Sequence, residues 1–310
     1  MTEIVDPSLI RSYLAIIKNS IVYIVMPLMS YGDLKSIINL KFPSGLHDEC
    51  AIATIMKIAL EAIICLNKSN WVHRDIKASN ILLASDGTIR LGDYGVSRKK
   101  GGDSFVGSLC WMAPEVALGK DYDKKVDIWS LGITALEIAH GKPPFLRMSP
   151  FEFNKLMLEG ELPTLNDSVY KWSDAFKNFV KCCLVKNPEE RPCAQEVLEK
   201  NKEFLDKAKD KQYILEHVLK GCLTLQQRFP QTLDNSQEKE KTPKKEVKIS
   251  WNFGSLNKEN EEKEEKGEKE EKSEISGKET DVNSKEQQQI KQAKTVQNFT
   301  KVFSDMKEEE

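Results

Sequence analysis

At residues 73–80 the chain reads HRDIKASN, which sets a carboxylate (Asp75), an ammonium group (Lys77) and a carboxamide (Asn80) close together. A further carboxylate, Asp93, follows in DYG at 93–95. Carboxylate and carboxamide oxygens are hard donors of the kind that hold Mg²⁺, and an aspartate beside such an ion can accept a hydroxyl proton. By residue type, Asp75 is thus a candidate base and Asn80 a candidate metal ligand. Taken alone, eight residues with a charged centre could equally be a capped surface loop. They are not alone: DYG, APE at 113–115 and DIWS at 127–130 follow in order, with room for structural elements between them.

Positioning these groups requires a scaffold, and the patterning supplies one. Two apolar, β-branched runs, 10–17 and 21–28, flank KNS and predict an antiparallel hairpin. SYGD breaks that pattern and DLKSII begins a short helix. Asp48 is placed to cap a long helix over 49–68, with Leu46 and Ile52 as a hydrophobic staple. ILLA and TIRLG, joined by SDG, read as two short strands that bracket the chemistry. Beyond APE the chain turns helical, at roughly 127–140, 151–158, 173–184, 193–198 and 211–219. A hairpin region followed by a mostly helical body predicts an α+β fold.

Composition narrows the class. Of 310 residues 40% are hydrophobic, enough for a core, and 30% are charged. The segment 236–310 holds 19 acidic and 16 basic residues, which leaves 1–235 with 29 acidic and 30 basic. A body so nearly neutral has no electrostatic footprint for nucleic acid. Its longest apolar run, 50–66, is interrupted by Lys57 and Glu61 and is short for a membrane span, so no membrane partner is expected. Seven cysteines, odd in number and without a C-x-x-C pair, suggest free thiols in a reducing, cytoplasmic setting. The tail around NKENEEKEEKGEKEEKSE lacks the apolar residues needed to offset chain entropy and is expected to be disordered. Two islands interrupt it, 244–256 and an apolar helical stripe over 290–306, and both are candidate docking segments for partners.

The ordered motifs resemble those of the protein kinases, over residues 10–235. GSLCWMAPE, VDIWSLGITALEIAHGKPPF and KNPEERP are similar to the sterile-twenty-like (germinal-centre kinase) group. AIATIMKIALEAI, AKDKQYILEHVLKGCLTLQQRF and ISWNF resemble its fray or oxidative-stress-responsive branch. The resemblance implies a kinase-like fold in three parts. Residues 1–29 would be a remnant of the β-rich small lobe (the end of helix C and strands 4–5). Residues 30–235 would be the helical large lobe with an extension, and 236–310 the charged tail.

It also implies transfer of the ATP γ-phosphate to serine or threonine hydroxyls of protein substrates, with ATP and Mg²⁺ as cofactors. Asp75 would be the base and Lys77 the contact to the transferring phosphate. Asn80 and Asp93 would hold Mg²⁺. Met26 falls at the gatekeeper position, with Pro27 and Met29 in the adenine hinge, Asp33 at the ribose and Leu82 beneath the base. Ser104 occupies the usual phosphoacceptor place, served by an upstream kinase or by self-phosphorylation, with Arg74 and Arg98 as its clamps. Ser108 matches the family threonine near the base. Glu115 with Arg191, and Asp127 beneath the catalytic loop, are expected to be structural.

A Gly-rich loop, a strand lysine and its helix glutamate do not occur in the sequence, and Pro7 leaves no room for the glutamate. Met1 is therefore expected to be an internal cut in an active stress-signalling kinase. The alternatives are a short isoform or pseudokinase acting as a scaffold, and an interaction protein working through its tail.

Overall fold

The computed structural model describes residues 4–18, 21–93, 98–99, 109–146 and 148–229. The hairpin is formed by β1 (Leu14–Lys18) and β2 (Ile21–Val25), antiparallel, with Leu14 opposite Val25 and Ile16 opposite Tyr23. Both strands are shorter than the apolar runs that predicted them. Residues 8–10 instead run parallel to a later strand, with Ile10 N–H donating to Leu91 at 2.9 Å. At the other end Pro27 has no N–H to continue the ladder, and β2 stops before it. Among the hairpin's described side chains, Ile16 and Ile17, on opposite faces, are both exposed.

β3 (Gly32–Asp33) leads into α1 (Leu34–Lys41), and α2 runs over Glu49–Lys68, the span that the sequence predicts. Asp48 caps α2 by accepting from Ala51 N–H at 3.0 Å, and both staple residues, Leu46 and Ile52, are buried. β4 (Trp71–Val72), β5 (Ile81–Leu83) and β6 (Ile89–Leu91) follow, and β5 pairs antiparallel with both β3 and β6. The backbone of β7 (Arg98–Lys99) pairs with β4.

The helical part comprises α3 (Pro114–Ala117), α4 (Val126–His140), α5 (Pro150–Glu159), α6 (Asp174–Cys183), α7 (Ala194–Lys200), α8 (Lys202–Leu205), α9 (Lys211–Ile214) and α10 (Leu225–Arg228). The sequence treats 211–219 as one helix, whereas α9 passes into a π-helical turn over Leu215–Leu219. Every residue of α4 from Val126 to Ala139 is buried, the state expected of a helix that is apolar all round. Gly132 makes that possible on one side: a Cβ there would lie 2.7 Å from Cys183 Cβ, so α6 can approach only a glycine. Gly141 ends α4 at φ 78°, a left-handed cap. α4 packs on α2 and α6 and holds the loop between β4 and β5 along its length, from Asp127 to Thr134 and Glu137.

No helix among the described residues is long and apolar enough to cross a membrane. The tail segments 244–256 and 290–306 lie outside the described residues.

Candidate active site

Three of the four residues singled out first are brought together by the loop between β4 and β5. Lys77 Nζ lies 2.8 Å from Asp75 Oδ2, and Asn80 Nδ2 donates to the same oxygen at 2.9 Å. Asn80 Nδ2 also donates to the Asp75 carbonyl at 2.7 Å. These two bonds fix the carboxamide's orientation and leave Oδ1 as its unbonded oxygen among the described residues. A 3₁₀ turn over Ala78–Asn80 sets the spacing, closed by Asn80 N–H to the Lys77 carbonyl at 3.0 Å. Asp93 follows Gly92, whose N–H donates to the Asn80 carbonyl at 2.8 Å. Asp93 is therefore delivered by β6, exposed and at φ 55°.

What holds the loop is buried charge. Asp127, in the first turn of α4, accepts from His73 N–H at 2.7 Å and Arg74 N–H at 2.8 Å, one on each oxygen. Arg74 sits at φ 71°, which costs a non-glycine residue on the order of 1 kcal/mol or more. The Asp127 bonds hold it there. Burial raises the Asp127 carboxyl to about 6 even though both bonds and the Arg74 charge oppose the shift. His73 donates from Nε2 to the Gly92 carbonyl at 3.0 Å, so its Nδ1 accepts, from Asp75 N–H at 3.3 Å. Burial pushes this imidazole down to about 4, which keeps it neutral.

The two shifts oppose each other in the pH dependence of stability. His73 has a lowered folded pKa, so its contribution is present above about 6.5 and is lost as pH falls toward about 4. Asp127 has a raised folded pKa, so its contribution is fully present below about 4 and is lost as pH rises through about 6. Each shift of roughly two units is worth on the order of 3 kcal/mol, and the pair nearly cancels. Asp127→Asn should therefore lose stability more steeply between pH 6.5 and 4 than the parent, because the His73 loss on acidification is no longer offset. Urea midpoints across that range provide the measurement, and parallel profiles would refute the compensation.

A second buried carboxylate, Glu137, was missed by sequence reasoning. It accepts from Ala78 N–H at 3.0 Å and Trp111 Nε1 at 3.1 Å, and pairs with Lys35 Nζ at 3.3 Å. It thus ties the catalytic loop to the segment before APE and to α1. Burial raises its carboxyl above the ordinary value. The available signal was a lone carboxylate deep inside an apolar helix, which burial permits only when it is bonded.

The expected structural pair is present: Arg191 and Glu115 form a bidentate bridge at 2.6 and 2.9 Å, both side chains buried. The hinge residues are less uniform. Met26 is 44% exposed and Pro27 half-buried, whereas Met29 is buried and its carbonyl accepts from Gly32 N–H. Asp33 caps α1 by accepting from Ser36 N–H at 2.8 Å and Ser36 Oγ at 2.7 Å, a structural duty beside the ribose role expected of it. Leu82, on the central strand β5, lies against Gly92, where a Cβ would come within 2.8 Å of its Cδ1. Arg74 Nη1 donates to Tyr122 Oη at 3.2 Å. For Arg98 the backbone alone is described, and Ser104 and Ser108 lie outside the described residues.

The chain belongs to the protein kinase family: residues 1–202 match the protein kinase domain. Among its relatives is serine/threonine-protein kinase fray2 of Dictyostelium discoideum, 39% identical over 237 residues, covering 74% of this chain and 23% of that protein. Germinal center kinase 3 of Caenorhabditis elegans is 35% identical over 251 residues, 73% of this chain and 42% of that protein. Serine/threonine-protein kinase ppk11 of Schizosaccharomyces pombe is 45% identical over 180 residues, 56% of each chain. These names agree with the sterile-twenty-like resemblance of the sequence. The chain spans less than half the length of the first two relatives.

Proposed function

We propose that the protein acts as a serine/threonine protein kinase, with Asp75 as the base that takes or orients the proton of a substrate hydroxyl. The single observation carrying this reading is the convergence of Lys77 and Asn80 on Asp75, on a loop held by Asp127. When bound, ATP supplies the γ-phosphoryl group and Mg²⁺ offsets its charge. The residues present fit that pair. Asn80 keeps Oδ1 unbonded among the described residues, and Asp93 offers an exposed carboxylate on the adjoining strand end, together a hard-oxygen set suited to Mg²⁺. Lys77 is placed to stabilise negative charge on the phosphoryl oxygens beside Asp75. Met26, Pro27, Met29, Asp33 and Leu82 are assigned to the nucleotide. In the transfer the hydroxyl oxygen bonds to phosphorus, the bond to the leaving ADP oxygen breaks, and the proton passes to Asp75. Seven free cysteines support a cytoplasmic setting, and the segments 244–256 and 290–306 remain the candidate stretches for partner docking.

Phosphorylation of Ser104, by an upstream kinase or by the protein itself, is the proposed switch, with Arg74 and Arg98 as the cationic partners and Ser108 near the base. A phosphate there adds close to two negative charges and three acceptor oxygens. Ser104→Ala in the full-length protein should resist activation, and mass spectrometry of the fully active protein should find Ser104 modified. Active protein with Ser104 bare would exclude this switch.

A further inference from the structure

A concavity of about 470 Å³ opens at the C-terminal end of α4. At ~1.5 Å per residue, its wall residue His140 lies roughly 20 Å along the helix from Asp127. The walls are stiff and apolar. Pro143, Pro144 and Pro163 face the space with Leu136, Tyr170 and Trp172, and the last two rings lie 4.6 Å apart between centroids. Proline fixes its own backbone torsion, and Trp172 is wedged edge-on against Phe176 at 5.3 Å, so the cavity is built from parts with little freedom to collapse. A volume of this size with mostly apolar walls is that of a small-molecule site.

The polar groups in the wall share one character. His140 Nε2 accepts from Asn166 N–H at 3.1 Å, so the neutral ring carries its proton on Nδ1. That Nδ1–H has no acceptor among the described residues. Burial, then the neighbouring His47 and Lys142, lower the His140 pKa. His47 and Lys142 themselves line the same space, and among the described residues no aspartate or glutamate does. Two carboxylates on the flanking segments are engaged elsewhere: Asp167 with Lys177 and Trp172 N–H, and Asp48 with Ala51 N–H, Tyr213 and His217. An apolar cavity with an unanswered N–H donor, an ammonium group and no acid is complementary to an apolar anion.

We infer that this cavity is a binding site for a small apolar carboxylic acid, its hydrocarbon body against the proline, Tyr170 and Trp172 walls and its carboxylate toward His140 and Lys142. The site is separate from the phosphoryl-transfer reading, and either can fail without the other.

The test uses naphthylacetate as the probe and the neutral naphthylacetamide as its control, titrated into the full chain by calorimetry. The acid should bind, and the amide should bind at least tenfold more weakly, because a charge-assisted bond is lost. Lys142→Met, at an exposed position, should weaken the acid about fivefold. His140→Phe keeps a ring but removes the donor, and should cost roughly tenfold. With only four histidines in the chain, their ring protons are separable by NMR, and the acid should raise the titration midpoint of His140. Absence of binding at millimolar acid, equal affinity for acid and amide, unchanged affinity in both variants, or an unmoved His140 midpoint would each overturn the proposal.

Discussion

In the full-length protein, Asp75→Asn should cut phosphoryl transfer by two to four orders of magnitude while nucleotide affinity changes little. The size follows from what a positioned general base contributes, about 10²- to 10⁴-fold. The substitution is geometrically mild. An asparagine oxygen can still accept from Asn80 Nδ2, which now bonds Asp75 Oδ2 at 2.9 Å, and the backbone carbonyl bond at 2.7 Å is untouched. The Asp127 anchors lie on His73 and Arg74, outside the altered side chain. The loop should therefore keep its shape and lose its proton acceptor. Single-turnover transfer and equilibrium nucleotide binding, measured side by side, separate the two effects. Asp93→Asn should do the opposite in part, weakening metal-dependent nucleotide binding as well as turnover. Near-normal turnover in Asp75→Asn would remove that residue from the role proposed for it.

The largest effect on stability is expected at the Arg191–Glu115 pair. Arg191 spends its donors on Glu115 at 2.6 and 2.9 Å and on the carbonyls of Val185, Lys125 and Lys186. Its guanidinium also stacks over the Trp129 ring at 5.3 Å. Removing one partner of such a buried pair strands the other charge, and costs about 3–5 kcal/mol. Glu115→Ala should approach that figure by chemical denaturation, a large share of the ~5–15 kcal/mol that holds a typical domain together. Replacing both residues by apolar side chains of similar volume should restore part of the loss, because the stranded charge is gone. A single-substitution loss below about 1 kcal/mol would show that water reaches the site. The consequence extends to the catalytic loop, since the Lys125 carbonyl lies just ahead of α4 and its Asp127.

Much of the site was legible because it is local in sequence. Asp75, Lys77 and Asn80 fall within one turn-rich loop, and a 3₁₀ turn of three residues is enough to close them onto one another. The long helix was legible for the same reason: its cap at Asp48, its apolar periodicity and its end at Ser69 all lie inside the segment. The short strands were less so. β3 and β7 are two residues each and take their identity from partners far away in the chain, Leu82–Leu83 for one and Trp71–Val72 for the other. No two-residue pattern can announce such a pairing. The hairpin was found but overextended: Ile10 pairs with Leu91, far away in the chain, and Pro27, which has no N–H to donate, lies beyond the end of β2.

By itself, then, the sequence determined the α+β class, the family to which the chain belongs, the candidate reactive groups and the buried charges Asp127, Glu115 and Arg191 that the motifs carry. Tertiary structure alone decided what those charges hold. It set Asp127 under two backbone N–H groups and turned Glu137 from an isolated carboxylate into the tie between Ala78, Trp111 and Lys35. It also gathered His47, His140 and Lys142 around an acid-free cavity. The physical reason is the same in each case. A residue's type fixes which bonds it can make, but the dielectric around it and the partners it meets are set by elements distant in the chain, and only packing brings them there.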